Sequence, residues 1–135
     1  MNLRILKKLS KRAAPILLDR FCLSPSTLYI ADNDDSTYAE TNIDRKHQDH
    51  ARIHSRGYEE AWPGTPYVGW MSCGESPEWE SRTAWAELQN QVGGEVMVEI
   101  GERDESGCPE NVAPAFDMSP INVFAYLRGE KKVCN

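Results

Sequence analysis

At 135 residues, with 40 % apolar and 27 % charged side chains, the chain has the size and composition of one globular domain with a real core. It has no run of 18 or more apolar residues, which excludes a membrane-spanning helix. The formal net charge of −6 is unevenly placed. Residues 1–20 carry Arg4, Lys7, Lys8, Lys11, Arg12 and Arg20 against Asp19, a net of +5, and the remaining chain carries −11. The stretch 75–117 is the steepest, with eleven acids against Arg82 and Arg103. A cationic head on an anionic body points to electrostatic recognition and names no reaction.

In chain order, residues 2–14 predict a basic amphipathic helix. Leu3, Leu6, Leu9 and Ala13 recur at helical spacing, and Pro15 is expected to end or kink it. The apolar stretch Ala13 to Leu18 is too short, with Pro15 inside it, to read as an export signal. Ser24-Pro25-Ser26 marks a turn, Thr27 to Ala31 a short strand, and residues 32–36 a polar loop. A largely polar helix is expected over 43–56, capped by Thr41 or Asn42 and stopped by Gly57. Residues 58–76 are rich in Gly, Pro and aromatics, with a strand from Tyr67 to Ser72.

Ser76 as N-cap, Pro77 at the first position and Glu78 and Glu80 in the first turn predict a helix with Trp85, Leu88 and Val92 on its apolar face, closed by Gly93-Gly94. Glu95 to Ile100 alternates, with Val96, Val98 and Ile100 facing inward, and reads as a half-buried strand. Residues 101–117 read as a long acidic loop. Ser119 and Pro120 start a last helix that runs through Ile121, Phe124, Ala125 and Leu127 to Gly129. The expected architecture is α+β: a single compact domain, three or four helices packed on a small antiparallel sheet containing 96–100. Residues 1–14 are its basic helix, 15–129 its acidic body and 130–135 a fraying tail.

Two stretches carry a resemblance. One is the opening Met1-Asn2-Leu3-Arg4-Ile5-Leu6-Lys7-Lys8-Leu9-Ser10-Lys11-Arg12-Ala13-Ala14-Pro15. The other is Pro63-Gly64-Thr65-Pro66-Tyr67-Val68-Gly69-Trp70-Met71-Ser72, continuing through Gly74-Glu75 and Pro77-Glu78-Trp79-Glu80 to Thr83-Ala84-Trp85. Together they resemble a group of small proteins of unassigned activity encoded by tailed bacteriophages and prophages of Gram-negative bacteria. The resemblance covers about a third of the chain and implies origin rather than activity. Such genes often lie among those that modify or disarm the host.

Four groups of residues are candidate sites. His47, His50 and His54 share one face of the 43–56 helix, a pattern that suits a metal, a pH-sensitive contact or plain exposure. Three ligands spread over about 10 Å of helix axis hold a metal poorly alone, so no metal or other cofactor is expected. Trp62, Tyr67 and Trp70 offer aromatic anchors to a partner, or fold back into the core. Cys73, between Ser72 and Gly74, lacks any nucleophile context, and no enzyme activity is expected. Cys22, Cys73, Cys108 and Cys134 show no paired spacing, so four reduced thiols are expected.

Arg4, Lys7, Lys8, Lys11 and Arg12 suit nucleic-acid phosphates, an anionic membrane, or a helix packed on the body with its charges solvated. Helix length argues against the membrane, and the net charge against general nucleic-acid affinity. The last group is acidic: Glu95, Glu99, Glu102, Asp104, Glu105 and Glu110. Clustered carboxylates compete for a basic nucleic-acid groove. The expectation is a stoichiometric inhibitor or modulator in the host bacterial cytoplasm. It would bind a host protein with a basic cleft, one that handles nucleic acid or defends against phage, as an anti-CRISPR protein does. A small regulatory nucleic-acid binder using the basic helix is the alternative.

Overall fold

The chain caps its own first helix. Asn2 is extended (φ −68°, ψ 138°), and its Oδ1 accepts the Arg4 N–H at 2.8 Å to open α1 (Leu3–Asp19). Pro15 does not stop this helix at residue 14, as the sequence predicts. The proline is exposed, so the hydrogen bond it removes is lost where water replaces it, while Leu9, Ala13 and Leu17 stay buried on the opposite side. The computed structural model describes residues 2–31, 39–42, 64–71, 73–75 and 79–133. The predicted 43–56 helix lies outside the described residues.

Beyond α1, Ser24 caps a single 3-10 turn at Pro25–Thr27. A four-stranded antiparallel sheet follows, ordered β2-β1-β3-β4, from β1 (Leu28–Ala31), β2 (Ala39–Asn42), β3 (Pro66–Met71) and β4 (Trp79–Thr83). Tyr29 and Tyr67 sit opposite each other across β1 and β3, their rings stacked at 5.7 Å and 10°. Leu28 and Val68, the neighbouring pair, are also buried, so both faces of the central strands are covered.

The helix predicted from Ser76-Pro77 starts later. Trp79–Thr83 is a strand in register with all of Tyr67–Met71, and this ladder overrides the acidic first-turn signal of Glu78 and Glu80. The helix is α2 (Ala84–Glu95), capped by Thr83, whose Oγ1 accepts the Ala86 N–H at 3.2 Å. It runs through Gly93-Gly94 instead of ending there.

The second surprise is 101–117. Strand β5 (Met97–Arg103) turns back as β6 (Pro109–Pro114), so residues predicted as a loop form half of a two-stranded hairpin separate from the larger sheet. Helix α3 (Pro120–Leu127) starts as predicted with Ser119 extended before Pro120, though the Ser119 hydroxyl makes no capping bond. It closes with Gly129 at φ +80°: the Gly129 N–H reaches the Tyr126 carbonyl at 2.9 Å and the Glu130 N–H the Ala125 carbonyl at 2.8 Å.

The architecture is α+β, with three α-helices and two antiparallel sheets among the described residues. The chain divides into two units, Met1–Leu88 and Gln89–Asn135. The first holds α1, the four-stranded sheet and the start of α2, around Leu9, Ala13, Leu17, Leu28, Tyr29, Tyr67, Val68, Trp85 and Leu88. The second holds the rest of α2, the hairpin and α3, with Val92, Val96, Val123 and Phe124 buried. There the Gln89 side chain donates to the Met118 carbonyl at 2.7 Å, tying α2 to the segment before α3. No described helix is long and apolar enough to cross a membrane.

Candidate docking surface

Five of the six predicted acidic residues lie on one hairpin. Glu99 and Glu102 are on β5, Asp104 and Glu105 in its turn, and Glu110 on β6. Glu95 ends α2 just before it and accepts the Tyr126 hydroxyl at 2.7 Å. All six are exposed. Charge counting along the chain finds them, but the hairpin that collects them is hidden by the two prolines of β6.

Local chemistry shapes the turn. Asp104 Oδ1 accepts from the Ser106 N–H (2.9 Å), the Ser106 hydroxyl (2.7 Å) and the Cys108 N–H (2.9 Å), and Gly107 follows at φ +87°. These donors, the Ser106 hydroxyl foremost and the Cys108 amide next, hold the Asp104 carboxyl below its ordinary value. One residue beyond β5's midpoint, Gly101 sits at φ +81° where the register slips between Ile100 and Arg103. A Cβ there would lie 2.9 Å from Glu110 Cβ.

The hairpin between Met97 and Pro114 holds five carboxylates and one guanidinium, a net charge of −4. Arg103 is engaged with Glu99 through both Nε and a terminal nitrogen, and it also donates to the Gly107 carbonyl at 2.8 Å. Among the described residues Glu102, Glu105 and Glu110 form no ion pair. The negative potential is therefore largely uncompensated on the hairpin itself.

The predicted alternation of 95–100 fails past its start. Val96 is buried and Val98 half-buried, but Ile100 is 48 % exposed. Only the base of the hairpin joins a core, so the outer part of β5 leaves both faces open. Met97 and Val112, at 43 % and 44 % exposed, join Ile100 as apolar groups among the acids. In the sequence the alternation puts Ile100 inward and Met97 outward, and Val112 falls within the stretch that reads as loop.

Of the three predicted aromatic anchors, Tyr67 and Trp70 are described, both in the first unit. Tyr67 is 1 % exposed in the β1–β3 stack, which removes it from any docking surface. Trp70 is half-buried, with the Arg82 guanidinium 4.4 Å from its ring centroid, and Arg82 in turn pairs with the buried Glu87 carboxylate at 3.3 Å. Trp62 and the three histidines, His47, His50 and His54, lie outside the described residues. Cys22, Cys73 and Cys108 are exposed thiols.

Of the basic residues on α1, Arg4, Lys8, Lys11 and Arg12 are exposed, and Lys7 is half-buried with its ammonium beside Gly64. The helix is docked within its unit through Leu9, Ser10, Ala13 and Leu17, so the packing reading of its apolar side holds.

Comparison with protein-family models, curated proteins and solved structures finds no match. Fold and site together define a small α+β protein that presents an acidic β-hairpin.

Proposed function

We propose that this protein acts by binding and not by catalysis: a stoichiometric modulator whose acidic hairpin occupies a basic cleft on a partner protein. The observation that carries this reading is the collection of Glu99, Glu102, Asp104, Glu105 and Glu110 on one exposed hairpin with a single guanidinium. A cleft evolved for nucleic-acid phosphates offers the complementary potential, and carboxylates in such a cleft displace its natural polyanion. The phage resemblance favours a host protein that handles nucleic acid or defends against infection, met in the bacterial cytoplasm. The test is capture of partners from host lysate by the native protein and by a triple variant, Glu99→Lys, Glu102→Lys and Glu105→Lys. Loss of a captured nucleic-acid-handling protein, with an unchanged circular dichroism spectrum, supports the reading; undiminished capture rejects it.

The exposed Arg4, Lys8, Lys11 and Arg12 favour a second reading, direct contact with nucleic acid through α1. Because α1 carries core residues, the test is substitution of Lys8 and Lys11 by glutamine and not deletion of residues 1–14. That reading requires salt-sensitive DNA or RNA affinity that the substitution lowers.

A further inference from the structure

The two edges of the acidic hairpin differ. The Ala115 N–H bonds the Val96 carbonyl at 2.8 Å, in the same register that sets Met97 opposite Pro114, Val98 opposite Ala113 and Glu99 opposite Val112. In an antiparallel ladder, hydrogen-bonded and non-bonded pairs alternate. Val98–Ala113 and Ile100–Asn111 are therefore the bonded pairs, and Met97, Glu99, Val112 and Pro114 turn their backbone groups outward. Past the register slip, the Asp104 N–H bonds the Cys108 carbonyl at 2.9 Å, which turns Pro109 outward in the same way.

Leaving aside Glu110, which lies within the slip, the outward positions on the free edge of β6 are thus Pro109, Val112 and Pro114. Two are prolines with no N–H, and the Val112 N–H is taken by Asn111 Oδ1 at 2.8 Å. That edge has no donor left to offer along these positions. The free edge of β5 has the opposite character. Met97 and Glu99 point N–H and C=O outward, no described strand lies on that outer side of β5, and both residues are exposed. Exposed edges are ordinarily blunted, and here only one of the two is.

We infer that the outer edge of β5 docks an extended, lysine- or arginine-bearing segment of the partner as an added strand. This rests on the binding reading above and names its mode. Main-chain bonds to Met97 and Glu99 supply affinity, while side chains of the incoming strand alternate between the two faces of the hairpin. On those faces Met97 and Ile100 await apolar groups, and Glu102, which forms no ion pair among the described residues, awaits a cation. The hairpin's net charge of −4 selects a basic segment and disfavours a second copy, which would bring five more carboxylates against it.

The test uses the full chain and an alternating lysine–valine octapeptide, with the alternating glutamate–valine peptide as control. At saturating lysine–valine peptide, amide hydrogen exchange at Met97 and Glu99 slows by roughly ten-fold while that at Val112 is unchanged. Glu99→Pro removes an outward donor without touching the internal ladder and weakens binding by roughly ten-fold or more. Glu99→Gln, which keeps the backbone donor and removes the carboxylate charge that also pairs with Arg103, weakens it by only about three-fold, and Val112→Pro on the closed edge leaves it unchanged. Peptide binding that the triple lysine variant abolishes, without protection at Met97 and Glu99, overturns the strand docking and leaves the acidic-surface reading standing. No binding of the lysine–valine peptide overturns the strand docking, and lysate capture by the triple variant then decides the acidic-surface reading separately. Protection at Met97 and Glu99 without peptide, rising with protein concentration, makes the occupant a second copy and overturns the basic-segment assignment. Where Glu99→Pro fails to fold, the exchange measurement on the native chain decides alone.

Discussion

The Ser10 hydroxyl oxygen accepts a hydrogen bond from the Trp85 backbone N–H at 3.2 Å, joining the middle of α1 to the first turn of α2 across 75 residues of sequence. Both residues are buried. The first N–H groups of a helix have no partner within it. Here Thr83 satisfies Ala86 and Ser10 satisfies Trp85, so a polar residue on the buried side of α1 acts as part of another helix's cap.

Ser10→Ala therefore strands a buried N–H. The expected cost is about 1–3 kcal/mol, the desolvation penalty of an unpaired donor. Urea unfolding followed by tryptophan fluorescence measures it, and a change below about 0.5 kcal/mol, typical of neutral surface substitutions, refutes the pairing.

Gly101→Ala asks a residue with a Cβ to hold φ +81° and places that carbon against Glu110. The strain of such a position is about 1–3 kcal/mol. The hairpin should loosen, seen as faster amide exchange at Val98 and Ile100, while β1 and β3 keep their protection. Glu110→Ala on this background relieves the contact but not the backbone strain, so recovery should be partial.

The Asp104 carboxyl titrates below its ordinary value of 3.8. A group whose folded pKa is depressed contributes stability that is present above the unfolded value and lost as pH falls through the folded one. The turn is thus expected to hold at neutral pH and to loosen only below pH 3.8. The amide shifts of Ser106 and Cys108, whose N–H groups Asp104 accepts, should follow one titration with its midpoint below that value. A midpoint above it contradicts the turn geometry. Asp104→Asn should abolish the titration.

Arg82→Ala exposes the Trp70 ring and takes the guanidinium from the buried Glu87. With Arg82 37 % and Glu87 9 % exposed at the side chain, the cost lies between the exposed-pair and buried-pair limits, about 2 kcal/mol. Arg82→Lys keeps the charge but not the planar stack on Trp70. It should recover part of the stability and leave the tryptophan emission red-shifted.

How much was legible in the sequence depends on which forces acted locally. Helix α3 is readable because Ser119, Pro120 and Gly129 each mark a terminus by backbone geometry alone. Strands β1 and β3 are readable because Tyr29, Tyr67 and Val68 make short apolar runs. Strand β4 is not: Ser76-Pro77-Glu78 carries a helix-start signal, and only pairing with β3, invisible to a local window, overrules it. Strand β6 is masked by Pro109 and Pro114, which read as loop until the register shows that they stand where no ladder bond is needed. The acidic composition of the candidate site follows from counting charges. Its edge asymmetry does not, since it depends on which residues face outward, a property of pairing parity. Tyr67 reads from the sequence as either a surface anchor or a core residue, because large aromatics serve both roles, and burial alone separates them.

Pro109 and Pro114 also bear on how far any such assembly can grow. A molecule with one receptive border and one sealed border can take a single neighbour, and that neighbour cannot be followed by another on the opposite side. Fibrous stacking through this hairpin is thereby terminated at its first step, and a strongly exposed pair of strands can persist at high concentration without polymerising.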